Sequence, residues 1–238
     1  MVALASSHTS DRLIDRVAAL VEKTDLRLAD TQKEREAIFR LRYQAYLREG
    51  AITANETGSF SDPLDLDANA LIFGVYIEGE LASSLRLHIA TPEYPHLPAM
   101  NVFADLLTPE LEAGKIIVDP TRFVADRDLS RHYPELCYVT TRLAWMASEY
   151  FQANYLLATV RTEHQAFYRR TFGHKVICDA RHYPSLTKPI SMMALDYLPN
   201  RARVLARYPF FRSTFFERRM LFSSFPQQQM PLPLPKAA

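Results

Sequence analysis

Glycine is scarce in this chain, with six among 238 residues. Few positions are therefore free to turn left-handed or to cradle a phosphate with bare amides. Cysteine is scarcer. Cys137 and Cys178 build no disulfide framework and no C-x-x-C metal pair. They read as buried thiols in a reducing compartment. Neither charge sign dominates: 28 basic residues face 27 acidic ones, a net of +1. Nothing global calls for nucleic acid. No apolar run approaches the roughly 20 residues that span a bilayer. Met1 to His8 lack the basic-then-apolar layout of a signal peptide. A soluble cytoplasmic protein is expected. The seven histidines show no i, i+4 pair and no cysteine at zinc spacing, so no metal is expected. Ser83 and Ser84 lie in no G-x-S-x-G elbow, which argues against a serine hydrolase.

What is present is a globular core. Hydrophobic residues make up 48% of the chain, enough for one large domain or two small ones. Residues 10–23 put Leu13, Ile14, Val17, Leu20 and Val21 on one helical face. Leu26 to Ala29 reads as a short strand. Thr31-Gln-Lys-Glu34 has the spacing of a capping box and opens a helix to about Arg48. Residues 50–69, with Glu56, Asp62, Asp65 and Asp67, read as a long loop of the kind that serves function. Leu71–Ile77 and Leu81–Ile89 flank Glu78-Gly79-Glu80 as a hairpin. A helix over 102–111, a strand over 115–123, a helix over 135–151, a strand over 155–160 and a short helix over 163–171 follow. Strands near 174–179 and 190–197 close the pattern. The expectation is one α/β domain over 26–200 with a mixed, largely antiparallel sheet. A helix within 1–25 precedes it. A basic, aromatic extension follows over 201–238, with a loose tail from Ser224.

Two segments carry chemistry. Lys115-Ile-Ile-Val-Asp-Pro-Thr-Arg-Phe123 is a β-branched run delivering a carboxylate and a guanidinium to one sheet edge. Such a pair can deprotonate an amine and hold an anion. Glu163-His-Gln-Ala-Phe-Tyr-Arg-Arg-Thr-Phe-Gly173 is a helix with a tyrosine near its end, closed by glycine. Together they suggest an acyltransferase.

The order of elements resembles the GNAT acyltransferase fold, in which the fourth and fifth strands splay apart and the donor's pantetheine arm slots between them. Here 115–123 and 155–160 take those places. By that likeness Tyr168 protonates the departing thiolate; the alternative is that it packs against the sheet. Ordinary members bind pyrophosphate with a Gly-rich turn, whereas Arg122 to Arg131 contains no glycine. Acyl carrier protein, with one phosphodiester on an acidic protein, suits Arg122, Arg127 and Arg131 better than acetyl-CoA. Arg161, Arg169, Arg170 and Lys175 are further candidates for carrier contact.

Three ordered pieces narrow the resemblance: Phe39-Arg-Leu-Arg-Tyr-Gln-Ala-Tyr46 with the Asp-rich loop, Gly79 to Leu87, and Asp119-Pro-Thr-Arg-Phe123. They resemble the LuxI-type acyl-homoserine-lactone synthases, and more closely the related FeeM-type N-acyl amino acid synthases, over about residues 36–200. The resemblance implies catalytic roles for Asp119, Arg122 and Tyr168. It implies substrate contacts from Arg42, Tyr46, Asp62, Asp65, Arg86 and Phe123. The donor is then acyl-phosphopantetheine on acyl carrier protein, with no other cofactor, and the acceptor an amino acid. Lactone synthases usually carry glutamate at the place of Asp119 and a tryptophan after the first motif. The single tryptophan here, Trp145, lies elsewhere, which favours the amino acid synthase over the lactone synthase. A non-catalytic acyl-carrier or lipid-binding module is the rival from another class.

Asp119 beside Arg122 is expected to have a depressed pKa. Arg42, Arg86, Asp62 and Asp65 read either as acceptor-binding groups or as structural ion pairs. Leu143, Trp145, Met146, Phe151 and Leu156 read as acyl-tunnel walls or as ordinary core. Residues 201–223 read as an element docked on the domain, or as a surface for carrier protein or anionic lipid.

Overall fold

A computed structural model describes residues 2–184 and 186–225, with side chains from Arg12 onward. The tail beyond Phe225, expected to be loose, lies outside them. Thr31 accepts from the Glu34 amide at 3.3 Å and the Glu34 carboxylate accepts from the Thr31 amide at 3.0 Å. This reciprocal cap starts α2 (Gln32–Arg48) where the sequence places it. Before it come α1 (Val2–Glu22) and strand β1 (Thr24–Leu28). The hairpin is β2 (Ala70–Ile77) and β3 (Glu80–Ala90). Glu78 and Gly79 both have positive φ, as a two-residue turn between twisted strands requires.

The rest runs α3 (Met100–Glu112), β4 (Ile117–Ala125), α4 (Arg127–His132), α5 (Leu136–Tyr150), β5 (Tyr155–Val160), α6 (Gln165–Thr171), β6 (Lys175–Arg181), β7 (Ile190–Asp196), α7 (Tyr197–Arg207) and α8 (Phe215–Phe222). The seven strands form one sheet in the order β1-β2-β3-β4-β5-β7-β6. Every neighbouring pair is antiparallel except β4–β5.

One face of the sheet is covered by α1, α5 and the C-terminal elements. Val17, Leu20, Trp145, Tyr197, Val204, Phe211 and Phe222 share one core with Phe73, Leu85 and Val118. The segments flanking 26–200 therefore pack into the same interior as the sheet. Leu143, Trp145, Met146, Phe151 and Leu156 are all in this core, at most 3% exposed, and none lines the cleft described below. They are core rather than tunnel wall. On the other face α2 packs over β3 and β4, while Leu97, Phe103 and Leu107 around α3 cover Ile117, Leu157 and Met192.

Three helices were not anticipated: α4, α7 and α8. Cys137 and Cys178 are half-buried rather than buried. Burial pushes the Cys137 thiol up to about 11, so it stays protonated at neutral pH.

Candidate active site

β4 and β5 pair only at Ile117–Tyr155 and Val118–Leu156. Both strands then continue without pairing, β4 for seven more residues and β5 for four. The wedge between them opens into a cleft of about 410 Å³. β4 supplies Thr121, Arg122 and Phe123 to its walls, β5 supplies Thr159 and Arg161 follows it, α2 supplies Tyr46, and α6 supplies Phe167 and Tyr168.

Asp119 is the first residue of β4 beyond the last pair. It is wholly buried and stands behind the cleft floor rather than on its wall. Its Oδ2 accepts from the Ala99 amide at 3.0 Å, while Oδ1 has no direct partner. Burial pushes the carboxyl up to about 7, against weaker downward pulls from the Ala99 amide, the Arg86 charge and the Thr159 hydroxyl across the wedge. The expected depression by Arg122 does not occur. Arg122 is turned to Asp62 instead, with Nε to Oδ2 at 3.0 Å and a second, shorter contact from Nη2.

A bulge makes that turn. Ser84 pairs with Val124 and Arg86 with Thr121, so β4 carries one extra residue there. Arg122 sits at φ 55°, uncommon for a non-glycine residue. The extra residue sends Thr121 and Arg122 to the same side as Arg86. Arg122 is stacked over Phe60 and near Tyr46, at 4.8 and 5.8 Å from the ring centroids.

The two loop acids form a second reciprocal cap. Asp62 accepts from Leu64 N–H and Asp65 accepts from Asp62 N–H, around the single turn Pro63–Leu66. Asp65 then accepts from Arg42 at 2.8 Å and from Arg86 at 2.9 Å, and Asp62 from Arg86 at 2.7 Å. Arg42 and Arg86 are wholly buried and Asp65 nearly so. Burial alone would raise Asp62, but the charges of Arg122 and Arg86 win and hold it at about 2. Arg42, Arg86, Arg122, Asp62 and Asp65 are thus one ion-pair network. Arg42 Nε and Nη2 and Arg86 Nη2 remain buried without partners.

Sequence reasoning did not single out four residues of this site. His88, opposite Asp119 across the β3–β4 pair, is wholly buried and touches Asp67 at 3.3 Å. Burial, and then Arg86, bring His88 down to about 3, so it is neutral. Strand alternation from Arg86 was enough to find it. Asn69 donates to the carbonyls of Ile89, Tyr94 and His96, pinning the loop that presents the Ala99 amide. Thr159 and Cys137, both on the cleft wall, stand in no motif.

Tyr168 lines the cleft, and burial raises its hydroxyl well above the usual tyrosine range. Of the residues expected to meet a carrier, Arg127, Arg131, Arg169 and Arg170 are exposed. Arg161 is held by Glu49 at 2.6 Å and by His164 at 2.8 Å. α4 begins with Asp126, whose carboxylate accepts from the Asp128 and Leu129 amides. The amides that would otherwise face a phosphate there are already taken.

A family model described as N-acyl amino acid synthase FeeM matches residues 37–196. The chain belongs to this family. The solved structure of FeeM, an N-acyl amino acid synthase from uncultured soil microbes, superposes with TM-score 0.65 at 20% identity, covering 77% of this chain and 96% of that one. The acyl-homoserine-lactone synthase LasI gives 0.56 at 12% identity, covering 75% and 95%. The CoA-dependent lactone synthase BjaI gives 0.53 at 15%, covering 79% and 89%. No curated protein sequence matches. The fold is that of the GNAT-like acyltransferases, and membership in the FeeM family makes the chain an N-acyltransferase. Within the family match lie the wedge, Asp119, the ion-pair network and Tyr168; α7 and α8 lie beyond it.

Proposed function

We propose that this FeeM-family protein moves a long-chain acyl group from acyl carrier protein to the α-amine of an amino acid. The observation that carries the reading is the Asp119 carboxyl, wholly buried at the apex of the β4–β5 wedge and pushed up to about 7 by that burial. A base is most useful when its pKa lies near working pH. The α-ammonium of an amino acid is protonated at neutral pH and must lose a proton to such a base before it can attack.

The thioester carbonyl enters the wedge, where strand amides without a partner strand stabilise the oxyanion. The ammonium gives one proton to Asp119 through the Thr159 hydroxyl, which reaches both the cleft and the carboxyl. The freed amine attacks the carbonyl carbon and the C–S bond breaks. Tyr168, kept protonated by burial, supplies a proton to the sulfur. It recovers one as the new amide nitrogen sheds its own. Neutral His88 lies beside Asp119, with Asp67 leading toward solvent, and offers the proton a way out. The occupied α4 N-terminus favours the carrier over CoA, with Arg127, Arg131, Arg169 and Arg170 receiving its acidic surface in the cytoplasm.

The experiment is incubation of the purified protein with acylated carrier protein and a pool of amino acids, followed by mass spectrometry. An N-acyl amino acid formed by the native protein and not by Asp119→Asn supports the reading. A homoserine lactone, or turnover with acyl-CoA and none with the carrier, overturns it.

A further inference from the structure

Seven large apolar side chains stand exposed among the described residues, and three belong to one eight-residue helix. Phe215, Phe216 and Met220 of α8 are 61%, 71% and 68% exposed. With Arg219 they fall at positions i, i+1, i+4 and i+5, a single helical face. The helix is already anchored along its edge and C-terminal end. Phe222 is wholly buried against Phe73, Tyr150 and Phe151, and the Thr214–Glu217 capping box fixes the first turn. Phe215 adds a stack on Tyr150 at 6.4 Å, which leaves Phe216 and Met220 as the outward apolar residues not needed to hold the helix in place.

Arg219 stands exposed within this face, and Arg212, two residues before the helix cap, is exposed as well. The one acid of α8, Glu217, is paired with Arg142 at 2.7 Å. Beside the face lies a second cavity of about 490 Å³, walled by Val21, Leu26, Val139, Phe216, Met220 and Leu221. Asp25 at its rim is taken by Arg27 at 2.7 Å. Apolar side chains standing clear of a helix, bordered by exposed arginines and opening on a largely apolar groove, match an anionic bilayer: headgroups meet the arginines and acyl chains meet the groove. An acidic protein partner matches the arginines but leaves the groove unused.

We propose that the outer face of α8 docks this protein on anionic phospholipid membranes. The proposal is independent of the acyl-transfer reading, because α8 lies outside the residues matched to the family and on elements that do not line the cleft.

The test is co-sedimentation of the full chain with vesicles of phosphatidylcholine alone and of phosphatidylcholine mixed with phosphatidylglycerol. Binding to the mixed vesicles alone is expected, weakening as salt rises. The double variant Phe216→Asp, Met220→Asp should lose about tenfold or more in partition coefficient while keeping the native circular-dichroism melt. Arg212→Glu, Arg219→Glu should bind weakly at every salt concentration. Failure of the native protein to sediment with either vesicle overturns the proposal, as does equal binding by the Phe216/Met220 variant. A native dimer that this variant makes monomeric also overturns it, by showing that a second copy covers the face.

Discussion

At pH 8 the Asp119 carboxyl has to be ionised inside the protein. Its folded pKa of about 7 lies above the roughly 3.9 of an unfolded aspartate. The folded state therefore holds a proton that the unfolded chain gives up. Stability falls as pH rises from about 4 to 7 and levels off above. Three units correspond to a cost of the order of 4 kcal/mol. Asp119→Asn keeps an acceptor for the Ala99 amide and carries no charge. It should raise the melting temperature at pH 8, flatten the decline between pH 4 and 7, and cut kcat by about 100-fold or more. Loss of activity with loss of stability would instead mark Asp119 as structural. In the native protein kcat/KM should rise through pH 7. Tyr168→Phe should lower kcat with little change in the melt, because its hydroxyl makes no hydrogen bond among those described. A normal kcat for this variant would remove it from thiolate protonation. At this scale the sequence named Asp119, Arg122 and Tyr168 by their motif. It misjudged the company of Asp119, because nothing in Asp-Pro-Thr-Arg announces the bulge that carries Arg122 away.

The loop over 50–69 shows what an element adds. Asp62-Pro-Leu-Asp65 folds as one capped turn, which holds both carboxylates rigid before any arginine arrives. The sequence reading of 50–69 as a loop passed over this cap, although Asp-x-x-Asp with proline after the first acid has its form; the arginine partners leave no local trace, since they come from α2, β3 and β4. Removing one member of a buried charge network leaves the others uncompensated, at about 3–5 kcal/mol. Asp65→Ala should destabilise by that much, exposing Arg42 and Arg86 to the cost, and Asp65→Asn by less; denaturant midpoints check both. Elements with strong periodicity, α2, the hairpin, α5 and β5, were readable within about two residues. α4 was missed because it is six residues long and has none that is buried. α7 was missed although Tyr197 and Val204, seven residues apart, keep one buried face, because its early proline and its arginines argue against a helix; α8 was missed because clustered arginine and phenylalanine blur its apolar period. The segment between them is held from far away in sequence: Arg142 donates to the carbonyls of Phe210 and Arg212.

Across the whole molecule, the sheet is two half-sheets, β1–β4 and β5-β7-β6, joined by two residue pairs. α5 and the C-terminal aromatics bind the halves from behind. Trp145 stacks on Phe172 and meets Tyr197 and Phe211. A chain ended at Asp196, where the family match stops, exposes this core. It should be insoluble or molten, seen as lost near-ultraviolet circular dichroism. A folded truncation would show that the extension only decorates the domain.

The parting of β4 and β5 also leaves a signature in deuterium uptake. Past Val118 and Leu156, every second amide of each strand faces a gap instead of a neighbour, while the alternate ones stay locked to β3 or β7. Two central strands, buried in the middle of a sheet, should therefore exchange with a tooth-like rhythm of slow and fast positions. Whatever molecule fills the gap should erase it.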